Sequence, residues 1–371
     1  MSARSRGFAA IAAAGAAALT LSLAGCAAAA PPSDGVQIVV TTNILGDVTS
    51  EIVGDAARVT TLMKPNADPH SFEISAQQAA AMDRADLLVS NGLGLEEGLQ
   101  QHLDRVIAAG GTQFVAGDHV DVLSYAHDSN DAGSADAGSA DRADAGTPGS
   151  ADSADAGTAD GSRDGAAHTG DAATPDPHFW TDPTQMVSVA RALTDAITAL
   201  PGMTADARDQ IKARASAYIA ELTALDATIA ERFAGIPAER RALVTNHHVF
   251  GYLAKRYDFR VLGTAIPGGT TLAAPSAADL SALVTTITAA GVPTIFAETS
   301  APDRLMRVLA EEAGIDVQVV ALFTESLTAD GGGAASYTEM LQANTERIVA
   351  GLTPELGSGH ESSTRTPGTG G

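Results

Sequence analysis

The chain has 371 residues, 45% of them hydrophobic but only 4% aromatic, with a net charge of −23. That length has room for two ordinary domains with aliphatic cores. So acidic a chain is a poor partner for nucleic acid or bare anionic lipid, and its single cysteine excludes an internal disulfide.

Residues 1–25 read as a secretory signal peptide: Arg4 and Arg6 precede an apolar run from Phe8 to Leu23, which is too short for a permanent span. The run ends at Leu23-Ala24-Gly25-Cys26, the pattern of a bacterial lipobox, so Cys26 is expected to be lipidated and to anchor the mature chain to the membrane. Residues 26–35, with two prolines, read as a tether. No later stretch is long and apolar enough to suggest a second membrane segment.

The folded part is expected to begin at Val36. A strand over Val36–Thr42 leads to a helix over Ile44–Val53, a strand over Val59–Met63, a helix over Ser75–Arg84, a strand over Leu87–Ser90 and a helix over Leu95–Ile107. This alternation predicts βα units on a parallel sheet. Residues 127–175 then form a low-complexity run with ten aspartates against two arginines. With almost no large apolar side chains it cannot offset the entropy of ordering, so it reads as an acidic insertion inside the first domain. Its carboxylates, with His127 and His168, could collect cations only loosely.

A helix follows over Thr184–Leu200, then a much longer one over Ala205–Ala234 without proline or glycine. Ile211, Ala215, Tyr218, Leu222, Leu225, Ile229 and Phe233 recur there at helical spacing. Thirty residues make a rod of about 45 Å, enough to join two lobes. The alternation restarts with strands over Ala242–Thr245, Arg260–Thr264, Thr294–Ala297 and Val317–Val320. Helices are expected over Val249–Tyr257, Ser276–Ala290, Asp303–Ala313 and Tyr337–Leu352, with Ser276 and Asp279 as a capping box. The expected organisation is an α/β fold of two lobes, residues 36–202 and 236–356. Each has a central, mainly parallel sheet flanked by helices; residues 203–235 link them, and 357–371 form a tail.

Three histidines stand in non-random settings. Asp68-Pro69-His70 and Asp176-Pro177-His178 repeat one phrase about a hundred residues apart, and Asn246-His247-His248 follows an expected strand. Each lies on a loop or helix start, where ligand crevices of open α/β sheets form. Neutral imidazole is the commonest metal ligand, and three such groups suit one zinc-sized ion. A fourth donor would complete a tetrahedron; Glu298 and Glu325 both end apolar, strand-like runs, and residue chemistry alone does not choose between them. Three imidazoles and a carboxylate favour zinc, with manganese, which prefers more oxygen donors, as the alternative. A zinc metalloenzyme competes as a function, since three histidines and a water are also a catalytic pattern. A surface lipoprotein with a merely structural metal is a third reading. His102, His119 and His360 lack comparable surroundings.

The lipobox, Lys64-Pro65-Asn66-Ala67-Asp68-Pro69-His70, Asp176-Pro177-His178-Phe179-Trp180-Thr181-Asp182-Pro183 and His247-His248-Val249-Phe250-Gly251-Tyr252 occur in order. Together they resemble the zinc and manganese solute-binding lipoproteins of bacterial ABC importers, the ZnuA/TroA type. Pro275-Ser276-Ala277-Ala278-Asp279-Leu280 and Ile295-Phe296-Ala297-Glu298 match that family's second lobe. The resemblance runs from about Val36 to Leu352. It implies a rigid linker helix and a metal in the interlobe cleft, held by His70, His178 and His247, with His248 at a non-ligand place. It implies Glu325 as the fourth ligand, in Leu322-Phe323-Thr324-Glu325-Ser326-Leu327, where the family usually has aspartate. Manganese receptors of the family usually carry glutamate where His247 stands. The implied role is not enzymatic: a monomeric, membrane-anchored receptor passes the ion to a permease and its ATPase.

Overall fold

A computed structural model describes residues 35–125, 174–266, 269–299, 304–312 and 317–353. The signal peptide, Cys26, the tether, the tail with His360, and nearly all of the acidic insertion, with His127 and His168, lie outside the described residues.

The first half is a parallel sheet with strand order β2-β1-β3-β4, formed by β1 (Gln37–Val40), β2 (Arg58–Thr61), β3 (Leu87–Ser90) and β4 (Gln113–Val115). The chain leaves β1 in one direction to reach β2 and returns on the other side for β3. The carboxyl ends of β1 and β3 therefore flank a switch point, where a crevice opens. Strand β4 was not foreseen; at three residues it is too short to show a pattern. Helices α1 (Asn43–Val53), α2 (Ala76–Met82) and α3 (Gln100–Ala108) cross between the strands. Thr42 caps α1, and Ser75 with Gln78 forms a capping box on α2.

Helix α4 (Pro183–Ala199) starts with Asp182 as cap and proline at its first position. Next comes α5 (Ala205–Ala234), capped by Thr204, a 30-residue helix with the expected bounds. Its buried side chains include Ile211, Ala215, Tyr218, Leu222, Leu225, Ile229 and Phe233, the spacing read from the sequence. Arg208 and Arg214 donate to Thr198 O (2.8 Å) and Glu51 O (2.9 Å), tying α5 to the first half. Further along, Asp226 accepts both arms of Arg256 (3.0 and 2.5 Å) and the Tyr257 hydroxyl (2.9 Å), tying it to the second.

The second half holds β5 (Ala242–Thr245), α6 (Gly251–Tyr257), β6 (Arg260–Thr264), α7 (Ala277–Ala290), β7 (Thr294–Glu298), α8 (Arg304–Glu312), β8 (Gln318–Leu322) and α9 (Tyr337–Leu352). Ser276 and Asp279 form the expected capping box, and Gly291 ends α7 in the left-handed conformation. The strands pair in parallel as β5-β6 and β7-β8. β5 and β7 lie side by side, joined by a cluster containing Ala242, Val244, Ile295 and Ala297. A larger apolar cluster runs from β1 through α4 and α5 to Phe250, Tyr252 and Tyr337, so the two halves share a core.

Candidate metal centre

Each Asp-Pro-His phrase folds into the same local device. Asp68 Oδ1 accepts the His70 backbone N–H at 2.9 Å, and Asp176 Oδ1 accepts that of His178 at 2.9 Å. The aspartate thus turns the chain two residues ahead while proline fixes the backbone between. His70 follows β2; His178 opens a short 3-10 turn, Phe179–Thr181, ahead of α4. His247 follows β5, and Glu325 follows β8. Both parallel assemblies therefore aim their carboxyl-end loops at one place.

The four donors meet there. His178 Nε2 lies 3.4 Å from both His70 Nε2 and His247 Nε2. Glu325 oxygens lie 3.8, 3.5 and 3.1 Å from the Nε2 atoms of His70, His178 and His247. Donors about 2.0–2.1 Å from a tetrahedral zinc stand about 3.3–3.4 Å apart, and these separations, 3.1 to 3.8 Å, lie around the edges of such a tetrahedron. His70, His178, His247 and Glu325 are each no more than 1% exposed. Neither Glu325 oxygen makes a directed hydrogen bond, and His70 Nδ1 has no hydrogen-bond partner. A buried carboxylate without donors is costly, and a divalent cation bound among these nitrogens removes that cost.

Second partners fix the rings. His178 Nδ1 lies 2.8 Å from Asp176 Oδ1 and 3.0 Å from the Tyr125 hydroxyl, and His247 Nδ1 is hydrogen-bonded to Glu298 Oε1. Such contacts turn each Nε2 toward the cluster. Glu298 therefore stands behind His247 and outside the cluster of four. His248 sets its ring edgewise to Tyr125, with centroids 5.1 Å apart. His119 stacks on Phe114, and His102 sits 3.1 Å from Arg105 on α3, both away from the cluster.

Tyr125 was not foreseen. Ser124 bridges Pro175, Tyr125 N–H donates to Thr174 O (2.9 Å) and Asp176 N–H to Leu123 O (2.7 Å). Tyr125 and Asp176 are thereby brought together on His178 from the two ends of the insertion. No periodicity or motif marks this tyrosine in the sequence.

Burial and the other imidazoles hold His178 well below the usual histidine range, against the pull of Glu325, so it is neutral at pH 7. Burial also disfavours charge on His247, but the Glu298 and Glu325 carboxylates outweigh it and push that imidazole up to about 10. Without metal, His247 is therefore an imidazolium at neutral pH, and metal must displace its Nε2 proton. Binding at pH 7 should release roughly one proton from this residue, and affinity should rise with pH until the apo form loses that proton near pH 10. Calorimetry in two buffers of different ionisation enthalpy measures the release; binding with no proton release would contradict this reading.

Residues 38–351 match the family model described as zinc-uptake complex component A, periplasmic (ZnuA). The manganese-binding lipoprotein MntA of Halalkalibacterium halodurans is 24% identical over 338 residues, 90% of this chain and 95% of that protein. The zinc-binding protein TroA of Treponema pallidum is 27% identical over 326 residues, 86% of this chain and 90% of that protein. Among solved structures, periplasmic TroA of Treponema pallidum superposes with a TM-score of 0.67 at 23% identity, covering 86% of this chain and 99% of that one. A manganese-bound periplasmic metal-binding protein of Candidatus Liberibacter asiaticus gives 0.66 at 20%, covering 85% and 99%. These two structures share the fold. The family match spans nearly all of the described chain, and the protein belongs to the ZnuA family of periplasmic zinc-uptake components.

Proposed function

We propose that the chain is a metal receptor of an ABC-type importer, capturing zinc between its two halves and passing it to a permease driven by an ATPase. The observation that carries this reading is the buried set of His70, His178, His247 and Glu325, spaced as the corners of one small tetrahedron. Three imidazoles and one carboxylate suit zinc, whereas manganese favours more oxygen donors. Manganese is the second reading, favoured by the relatives named as manganese-binding. In this reading Glu325 takes the fourth position, which a catalytic zinc would keep for water, and this argues against hydrolytic chemistry.

Lipidation at Cys26 would hold the receptor at the outer face of the cytoplasmic membrane, with residues 26–35 as tether and the body acting as a monomer. Among the described residues no helix is long and apolar enough to cross a membrane. In the same reading residues 36–202 and 236–356 are the metal-gripping lobes and 203–235 their linker, while the insertion leaves from the neck at Ser124 and Pro175.

The test is metal analysis of the protein isolated with its native contents, followed by competition between zinc and manganese. One zinc per chain, retained against a large excess of manganese, is the expected outcome. Manganese held in preference would replace zinc as the cargo; no tightly held metal would end the receptor reading.

A further inference from the structure

Glu325 differs from His178 and His247 in how it is held. His178 and His247 are braced from behind by Asp176 and Glu298, and His70 is aimed by the turn at Asp68. The Glu325 carboxylate makes no directed hydrogen bond on either oxygen; His247 Nε2, itself one of the four clustered atoms, lies 3.1 Å away. A long side chain whose head is unbraced is placed by its backbone, so the question is what holds the segment after β8. Phe323 to Leu327 are all buried there.

The partners of this segment change abruptly along the chain. Phe323 is tied to its own half: its N–H donates to Asn344 Oδ1 at 2.9 Å, and its carbonyl accepts from Asn344 Nδ2 at 2.6 Å. From the next residue the bonds cross to the first half. Trp180 Nε1 donates to Thr324 O at 2.8 Å. Asn43 Nδ2 donates to Ser326 Oγ at 2.7 Å and to Leu327 O at 3.3 Å, while Asn43 Oδ1 accepts the Leu327 N–H at 3.0 Å. The Asn66 N–H adds a bond to Leu327 O at 3.0 Å. Asn43 is 7% exposed and is the first residue of α1, just past the end of β1. Its amide uses donor and acceptor ends together on the two residues that follow Glu325.

We propose that Asn43 is the positioning residue for the fourth metal donor: its amide fork pins Ser326 and Leu327 across the interface and so sets where the unbraced Glu325 carboxylate stands. The inference rests on the receptor reading above. Removing the fork leaves the buried Leu327 N–H without its partner. The segment then shifts, and the Glu325 carboxylate, unlike the His178 and His247 rings, has no hydrogen bond from behind to correct its aim.

The experiment is a thermodynamic cycle. Zinc affinity is measured by chelator competition for the natural protein, Asn43→Ala, Glu325→Ala and the double variant. Asn43→Ala is expected to weaken zinc about 10–100-fold, the range seen for partners that orient a ligand. In the Glu325→Ala background the same change is expected to weaken it no further, because the residue it positions is already gone. In the metal-free protein, the Leu327 amide should exchange faster in Asn43→Ala while amides of α5 stay as they were. Equal weakening in both backgrounds, or unchanged affinity in Asn43→Ala, would overturn the assignment and leave the receptor reading intact. Natural affinity in Glu325→Ala would remove Glu325 from the site and overturn the assignment, whereas absence of tight zinc in the natural protein would overturn the receptor reading. Ser326→Ala cuts one prong of the fork from the opposite side and is read through the same cycle if Asn43→Ala does not fold.

Discussion

Replacing His178 by alanine is expected to lower zinc affinity by more than about 100-fold, beyond the cost of losing a residue that merely orients a ligand. Burial keeps its imidazole from charging, in contrast to His247, so metal claims its nitrogen without displacing a proton. Its Nε2 is 3.4 Å from both other imidazole donors, and Asp176 and Tyr125 hold the ring from behind. Water replacing the lost nitrogen would leave those two groups facing a void. His119→Ala, which alters only a ring stacked on Phe114, is the control and should bind as the natural protein does. Chelator competition on both variants makes the comparison; equal affinities would remove His178 from the site.

Trp180→Ala is expected to destabilise the fold by about 3–5 kcal/mol, the usual cost of truncating a buried tryptophan. Trp180 is 2% exposed and packs within the cluster shared by both halves. Its indole N–H donates to Thr324 O at 2.8 Å, and its carbonyl accepts the Tyr337 hydroxyl at 2.6 Å. It therefore joins the turn bearing His178 to the segment bearing Glu325 and to the start of α9. Denaturant unfolding should show a lower midpoint at similar slope. Trp180→Phe, which keeps most of the volume and loses the N–H, should cost about 1–3 kcal/mol by leaving Thr324 O without its donor. A loss below about 1 kcal/mol for the alanine variant would show that the halves do not depend on this contact.

The parts of this design that were legible in the sequence are those written in local chemistry. The long helix was, because seven apolar residues recur at its period and no breaker interrupts 205–234. The two Asp-Pro-His phrases were, because each aspartate acts on a backbone group two residues away. The choice between Glu298 and Glu325 was not legible from residue chemistry. Both acids close the carboxyl ends of neighbouring parallel strands, and only the assembled sheet puts one behind His247 and the other before it. Asn43 was invisible for a related reason: its partners Ser326 and Leu327 are more than 280 residues away, and an asparagine opening a helix reads as an ordinary cap. Tyr125 depends on a bridge that closes over the whole insertion. The pairing of the second-half strands in twos was equally hidden, since alternating strands and helices predict a sheet without giving its hydrogen-bonded order.

The central claim is that imidazoles from both halves and one carboxylate surround a single cation. Anomalous diffraction from a zinc-loaded crystal tests it most directly. The expected result is one ion about 2.0–2.1 Å from the Nε2 atoms of His70, His178 and His247, with a Glu325 oxygen completing the tetrahedron. An ion held elsewhere, with these four side chains unligated, would contradict it.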